Sequence, residues 1–295
     1  MTFDLDAALG AADLKRELVT RIAQQTLAED LQWGPDITTL ATIPAGRRGV
    51  ADVVARRPGT IAGIPVAAAV IEALAEDHNA TIDFTAMLTD GDRVRPGDQV
   101  LTVEGPLRTL LTAERTLLNL LSQLSGVATL TTAWADAIQA HDCMVRDTRK
   151  TVPGLRILQK YAVRCGGGVN HRMGLGDAAL IKDNHVAAAG SVRAAYEAVR
   201  AMNPSIGCEI ECDTLDQVAE ALEVRPDLIL LDNMTIDQLR QAVVLAAGRV
   251  RLEASGGLTL QDAARVAATG VDYIAVGELT HSAPVLDLGF DLRSS

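Results

Sequence analysis

Six short apolar runs, each followed by a helical run, occupy the second half of this chain. The predicted strands lie near Met144–Asp147, Ala179–Lys182, Cys208–Glu211, Leu228–Asp232, Arg251–Glu253 and Tyr273–Val276. The helices predicted between them include residues 186–202, 214–223, 235–247 and 259–269. Apolar strands that alternate with helices are typical of parallel strands covered on both faces. About six such units with polar strand ends favour a β/α barrel over an open sheet.

The first part of the chain has a different, mixed pattern. Helical periodicity covers residues 13–31 and 64–77, and residues 49–57 alternate like a strand. Turn signals at Asp90-Gly91 and Pro96-Gly97 separate further strand-like runs. A long helical stretch from about residue 108 then leads into the repeated units. Together with the length of 295 residues, this change of pattern predicts two α/β domains.

A cluster of cations stands out because the protein as a whole is acidic. The formal net charge is −11 and the isoelectric point is near 4.9. Residues 145–185 nevertheless contain Arg146, Arg149, Lys150, His171, Arg172 and Lys182. A local cluster of this kind indicates a pocket for a small, multiply charged anion. A nucleic-acid partner would need a broad basic surface, which the composition excludes.

Polar residues also follow each of the six predicted strands. They are Arg149-Lys150, Lys182, Glu211, Asp232, Glu253 with Ser255, and Gly277. In a β/α barrel the carboxyl ends of the strands carry the functional site. Any one of these residues could instead cap a helix or face solvent. Six strand ends with the same pattern indicate a common site.

Two acidic residues are the candidates for a metal or sugar site. Asp232 could instead cap the following helix, and one of Glu209 and Glu211 could point outward from its strand. Glu211 lies nearer the strand end and is therefore the better candidate. Paired carboxylates beside a phosphate suit Mg²⁺ or the hydroxyl groups of a ribose.

Glycine-rich loops follow the last two predicted strands. The segments are SGGLTL at residues 255–260 and VDYIAVGELTHS at residues 271–282. Late-strand loops with free backbone N–H groups often bind phosphate in barrels. The pattern therefore predicts a phosphate site here, which His281 could also reach.

Cysteine usage and the N-terminus predict a cytoplasmic setting. The four cysteines form no CxxC pair, which favours reduced thiols. The N-terminal residues MTFDLDAALG lack the apolar core of a signal peptide. The most apolar window, residues 117–130, is interrupted by polar residues and predicts a buried helix, with no membrane partner.

Five segments together resemble the quinolinate phosphoribosyltransferase family. They read LLTAERTLLNLLSQLSGVAT, RDTRKTVPGLRILQKYAVRCGGGVNHR, LGDAALIKDNH, LILLDN and LEASGGLT. The likeness extends from DLQWGPDITT at residues 30–39 to LTHSAPVLDLG at residues 279–289. The long motifs are specific, and together they span nearly the whole chain.

The resemblance implies an α/β protein with an N-terminal α/β sandwich domain and an incomplete β/α barrel of about six to seven strands. We assign residues 1–115 to the sandwich domain and residues 116–281 to the barrel, with the tail 282–295 packing on the sandwich domain. The implied reaction joins quinolinate to phosphoribosyl pyrophosphate, with Mg²⁺, and gives nicotinate mononucleotide, pyrophosphate and CO₂ in NAD biosynthesis. The implied assembly is a homodimer, or a multiple of dimers, with shared active sites.

The resemblance also implies roles for individual residues. It assigns the quinolinate carboxylates to Arg149, His171, Arg172 and Lys182, and to Arg115 of the neighbouring subunit. It assigns the 5′-phosphate to Ser255, Gly256, Gly277 and His281. Lys150 would act on the diphosphate side, and Glu211 and Asp232 would hold the ribose hydroxyls and the metal.

Two other functions remain open at this point. A related phosphoribosyltransferase could act on nicotinate or another aromatic acid. The segment TDGDRVRPGDQVLTVEG resembles the hairpins of biotinyl and lipoyl carrier domains, but no lysine occurs between Arg16 and Lys150 to carry the group.

Overall fold

The computed structural model describes residues 3–293, which divide into two compact units. Unit 1 contains residues 3–130, 157–166 and 283–293, and unit 2 contains residues 131–156 and 167–282. The predicted domain boundary at residues 115 and 116 stays a prediction. The first boundary between the two compact units lies later in the chain, between residues 130 and 131.

Unit 1 combines helices with a small antiparallel sheet. Its helices are α1 (Leu5–Ala11), α2 (Arg16–Leu31), α3 (Ile37–Thr42), α4 (Ile64–Asp77), the first part of α5 (Leu107–Ile138), and α6 (Arg156–Cys165). Its strands are β1 (Arg48–Ala55), β2 (Gly59–Thr60), β3 (Asp83–Ala86), β4 (Arg93–Val94), β5 (Gln99–Pro106) and β12 (Leu288–Leu292). Four strands pair antiparallel in the order β12-β1-β5-β3, and β2 pairs with β4.

Helix α4 shows how distant residues fix an element of unit 1. Pro65 stands at the helix start, where its missing N–H costs no hydrogen bond. The Asp90 carboxylate accepts from the backbone N–H groups of Gly63 and Ile64, at 2.9 and 3.0 Å. Tyr161 donates its hydroxyl to the same carboxylate at 2.5 Å. The helix N-terminus is therefore capped by a residue 26 positions further along the chain.

Unit 2 is built on six parallel strands. They are β6 (Met144–Arg146), β7 (Ala179–Ile181), β8 (Cys208–Cys212), β9 (Leu228–Asp232), β10 (Arg251–Ser255) and β11 (Tyr273–Ala275). The order in the sheet is β6-β11-β10-β9-β8-β7. Strands β6 and β7 are the two ends of this sheet in the described chain, so it forms an incomplete barrel. The predicted fold class is confirmed.

The remaining helices of unit 2 connect these strands. They are α7 (Asp183–Ala189), α8 (Val192–Met202), α9 (Leu215–Val224), α10 (Ile236–Ala246), α11 (Ala263–Ala267) and α12 (Glu278–His281). Helices α9 and α10 begin with the same capping box, in which Thr214 pairs with Gln217 and Thr235 pairs with Gln238. Each box fixes the residue at which the helix begins, a few residues after the preceding strand ends.

Two predicted helices differ from the observed ones. The helix predicted over residues 186–202 is two helices, because Gly190 adopts a φ of +95° and Ser191 caps α8 by accepting from the Ala194 N–H. The helix predicted over residues 259–269 is reduced to α11. None of the helices within residues 3–293 combines the length and apolar character that a bilayer crossing requires.

Candidate functional site

A cavity of about 380 Å³ opens at the carboxyl ends of the parallel strands. Its lining residues are Thr148, Arg149, Lys150, His171, Arg172, Leu180, Lys182, Glu211, Leu230, Asp232, Glu253, Ser255 and Ala275. The structure therefore brings together in one pocket most of the residues that the sequence singled out. Every strand of the sheet contributes directly or through the loop that follows it.

Two arginines form the strongly cationic side of this pocket. The Nε atom of Arg149 is buried and has no hydrogen-bond partner in the described part of the chain. Arg172 donates from NH1 to the Ala178 carbonyl oxygen at 3.1 Å. Burial, and then the adjacent charge of Arg149, lower the pKa of Arg172. Two guanidinium groups held together in this way favour an anion between them.

A buried carboxylate positions the loop that carries His171 and Arg172. Asp147, at the end of β6, accepts from the backbone N–H of His171 at 2.9 Å and from the Asn170 side chain at 2.5 Å. Asp147 is fully buried. Val169 forms a parallel bridge with Arg146, so the loop runs as an extension of the sheet beside β6. Asp147 thus fixes the backbone of two predicted substrate-binding residues.

The acidic side of the pocket consists of Glu211 and Asp232. Glu211 is paired in register with Leu230, so Asp232 lies two residues further along the adjacent strand and on the same face. The ammonium group of Lys182 donates to the Glu211 carboxylate. Lys182 therefore contacts the acidic side of the pocket and lines the same cavity as the two arginines.

The loops after β10 and β11 approach their neighbours closely. Gly256 has a φ of +92°, and a Cβ added there would lie 2.3 Å from Oδ1 of Asn233. A Cβ on Gly277 would lie 3.0 Å from Cδ of Lys150 and 3.3 Å from Nε2 of His281. The Gly277 backbone thus runs against two predicted phosphate-side residues, and only a residue without a side chain fits Gly256.

His281 itself is exposed at the surface of unit 2. Its Nδ1 atom lies 2.5 Å from the Ser282 hydroxyl oxygen. Gly256 and Gly277 belong to loops that follow strands, and His281 is the last residue of α12; these three residues are not among those that line the cavity.

A second group of charged residues lies at the base of the pocket, and Glu209 is the member that the sequence did not favour as part of the site. Arg146 NH1 donates to Oε2 of Glu253 at 2.6 Å, and His171 Nε2 lies 2.9 Å from Oε2 of Glu209. Both glutamates are buried. Glu209 therefore points into the barrel, as Glu211 does, and the expectation that one of the two faces outward is wrong.

Arg115 occupies a different part of the chain. It lies on α5 within unit 1, and 73% of its side chain is exposed. Its closest acidic neighbour is Glu114, at 3.8 Å. Its predicted action in a partner subunit stays a prediction.

The cysteines have no catalytic character in this structure. Cys208 and Cys212 are buried and free. Burial raises the pKa of the Cys212 thiol to about 12 and that of Cys208 to about 11. Such thiols remain protonated at neutral pH and are poor nucleophiles.

Two sequence models of known protein domains together match most of this chain. The sequence model of the "Quinolinate phosphoribosyl transferase, C-terminal domain" matches residues 127–291. The model of the corresponding N-terminal domain matches residues 36–125. The chain belongs to the quinolinate phosphoribosyltransferase family.

Individual relatives agree with this assignment. The chain is 52% identical to nicotinate-nucleotide pyrophosphorylase (carboxylating) of Mycobacterium leprae, over 95% of this chain and 98% of the relative. It is similar to the solved structure of nicotinate-nucleotide pyrophosphorylase from Francisella tularensis, with a TM-score of 0.90, 36% identity, and coverage of 95% and 98%. Human nicotinic acid phosphoribosyltransferase, at 16% identity, a TM-score of 0.60, and coverage of 92% and 73%, shares the fold alone.

Some residues of the pocket carried no usable signal in the sequence. Thr148 and Leu180 line the cavity close in sequence to the predicted cations, but neither residue type by itself indicates a site. Glu209 alternates with apolar residues on β8, and both faces of this strand are buried. Periodicity therefore could not tell its inward direction from an outward one.

Proposed function

We propose that this protein transfers the phosphoribosyl group of phosphoribosyl pyrophosphate to the ring nitrogen of quinolinate, with loss of CO₂. The products are nicotinate mononucleotide, pyrophosphate and CO₂. The proposal rests on family membership and on the chemistry of the pocket. It places the protein in NAD biosynthesis.

The observation that carries the proposal is the pair Arg149 and Arg172. Within residues 3–293, neither guanidinium group forms an ion pair, and Nε of Arg149 has no partner. Guanidinium groups bind carboxylates with two parallel hydrogen bonds. A pocket with two arginines and the nearby Lys182 suits a ring with two adjacent carboxylates better than a ring with one.

The expected chemistry needs electrostatic stabilisation more than a strong acid or base. The ring nitrogen attacks C1 of the ribose while pyrophosphate departs. Lys150 lies where it can neutralise charge on the diphosphate side, which is catalysis by fixed charges. The ring nitrogen then carries a positive charge. That charge stabilises the carbanion formed when the adjacent carboxylate leaves as CO₂, and the same carbon then takes up a proton from water to give nicotinate mononucleotide.

Glu211 and Asp232 fit a magnesium ion and the ribose hydroxyls. Mg²⁺ prefers oxygen ligands and is often held by one or two carboxylates together with substrate phosphates. The two side chains share one face of adjacent strands at the pocket. Mg²⁺ bound there would supply charge neutralisation for the diphosphate. Because Lys182 is bound to Glu211, a quinolinate carboxylate that attracts Lys182 would free Glu211 for this role.

The proposal includes a homodimer, or a multiple of dimers, in the cytoplasm. Arg115 supports it because an exposed cation on a helix of apolar residues is available to a second subunit. In a symmetric dimer the same surface serves both subunits, so two composite sites would form.

A comparison of two ring acids tests the substrate. Quinolinate and nicotinate are offered separately with phosphoribosyl pyrophosphate and Mg²⁺, and kcat/KM is measured for each. Polar groups left unpaired by the wrong substrate can give about 10⁴–10⁵-fold rejection. Equal turnover of nicotinate would favour the alternative of a related phosphoribosyltransferase for a monocarboxylate.

A further inference from the structure

The base of the pocket contains more acceptors than donors. Its members are Glu253 of β10, Glu209 of β8, His171 and Arg146. One oxygen of each glutamate and a ring nitrogen of His171 all lie within 4.8 Å of one another. Glu253 is fully buried, and Glu209 is 6% exposed.

The donors of this cluster can be assigned one by one. The backbone N–H of Arg172 donates to Nδ1 of His171 at 2.7 Å, so the ring proton is on Nε2. That proton points to Oε2 of Glu209, at 2.9 Å. Arg146 donates to Oε2 of Glu253 at 2.6 Å. Each glutamate therefore has one oxygen with a donor.

The second oxygen of each glutamate lacks a donor. Oε1 of Glu209 and Oε1 of Glu253 are both buried and have no hydrogen-bond partner among residues 3–293. The two carboxylates share one buried cluster directly beneath a pocket for an anion, and Arg146 forms a salt bridge to one of them. Two ionised carboxylates in one buried site are unfavourable, and a proton on one of them is the usual resolution.

We propose that Glu253 is protonated when the pocket binds quinolinate, and that it acts as a positioning residue: its proton supplies the missing donor and leaves Glu209 as the carboxylate that orients His171. This inference rests on the proposed function, because it concerns how the same pocket receives a dicarboxylate. An ionised Glu253 would add a negative charge beneath the substrate and weaken its binding.

The charged groups around Glu253 are consistent with this state. Burial, followed by the charge of Glu209, raises the pKa of Glu253 to about 7, although Arg146 and His171 act in the opposite direction. Tyr273 of β11 lies against Arg146, with the guanidinium carbon 4.8 Å from the ring centre.

The sign of the pH effect follows from the raised pKa. If binding requires the protonated form, quinolinate affinity is greatest at acidic pH and weakens as the pH rises through neutrality. For a single group of this pKa, the dissociation constant increases about tenfold between pH 6 and pH 8.

The test compares quinolinate binding by the wild-type protein and by Glu253→Gln, measured calorimetrically without the second substrate. The amide supplies a permanent neutral donor, so the variant should bind quinolinate at pH 6 within about threefold of wild type and should lose the tenfold weakening at pH 8. Glu220→Gln is the matched control. This residue accepts from the Val192 N–H on the helical layer, away from the cavity lining, and its variant should keep the wild-type pH dependence.

A proton count on the wild-type protein decides the question even if the Gln variant does not fold. Titrations at pH 8 in buffers of different ionisation enthalpy report the protons bound with the ligand. A group with a pKa near 7 should take up about 0.9 proton per site at pH 8 and about 0.1 at pH 6.

Three results would overturn the inference. One is Glu253→Gln binding tenfold or more weakly at pH 6, and another is Glu253→Gln showing the wild-type pH slope. The third is quinolinate binding at pH 8 without proton uptake. A metal cation held by the cluster in place of the proton would give this result, and quinolinate affinity would then fall when a chelator is added. Wild-type protein that binds no quinolinate at any pH would instead reject the proposed function itself.

Discussion

Replacing Arg149 by Met should weaken substrate binding and stabilise the free protein at the same time. Truncating one partner of a buried charge pair costs about 2–5 kcal/mol, which corresponds to a loss of quinolinate affinity of about 30-fold to several thousandfold. In the free protein, however, the buried Nε of Arg149 has no partner and its charge adjoins that of Arg172.

The gain in stability of the free Arg149→Met protein can be estimated from the same contacts. A buried polar group without a partner costs about 1–3 kcal/mol, and Met keeps most of the apolar stem of Arg. Each 1 kcal/mol recovered should raise Tm by about 2–4 °C for a unit of this size. Thermal unfolding gives Tm, and calorimetric titration gives the quinolinate Kd.

An exposed arginine provides the control for this experiment. Arg265 has 69% of its side chain exposed and forms a salt bridge with Asp262 three residues away, so Arg265→Met should change neither quantity appreciably. A lower Tm for Arg149→Met together with unchanged quinolinate affinity would refute the reasoning, because Arg149 would then be a structural residue.

Three further changes test other parts of the site. Gly256→Ala should lower the free energy of chemical unfolding by more than about 1–3 kcal/mol, because the strain of a positive φ is joined by a clash with Asn233. Gly190→Ala is the control, because this position has a similar φ of +95° and open space around it, so that the strain acts alone. Asp232→Asn should lower turnover at least tenfold and shift the Mg²⁺ titration while quinolinate affinity survives, and an unchanged titration would remove Asp232 from the metal site. Arg115→Ala and Lys182→Ala should each be nearly inactive alone, yet regain activity toward one intact site per heterodimer when mixed. If mass measurement confirms subunit exchange and no activity returns, Arg115 does not act in trans.

Much of the architecture was predictable because local signals agreed with one another. The helix predicted over residues 64–77 has these limits in the structure, since its proline and its apolar face both mark its extent. The six parallel strands were predictable for the same reason, as each is a short, largely apolar run and most have a charged residue at or next to the end. The break at Gly190 was missed because alanine-rich periodicity continues on both sides of it.

The site was predictable at its rim, and at its base except for Glu209 and the pairing of the charged groups. Cations and carboxylates at strand ends are visible in the sequence, because the barrel geometry makes strand ends a common location. The Glu209 and Glu253 cluster depends on which face of a doubly buried strand points inward, and on partners contributed by other strands. Helix α6 was also not predicted, because its residues lie within the segment that was interpreted as part of the cationic motif.

Release of labelled CO₂ tests the central claim most directly. Quinolinate labelled with ¹⁴C in the carboxylate next to the ring nitrogen is incubated with the protein and Mg²⁺, with and without phosphoribosyl pyrophosphate. We expect CO₂ in a one-to-one ratio with nicotinate mononucleotide, and none above background without the sugar diphosphate, because only the positively charged ring nitrogen stabilises the carbanion. Sustained CO₂ release in the absence of phosphoribosyl pyrophosphate would contradict this mechanism.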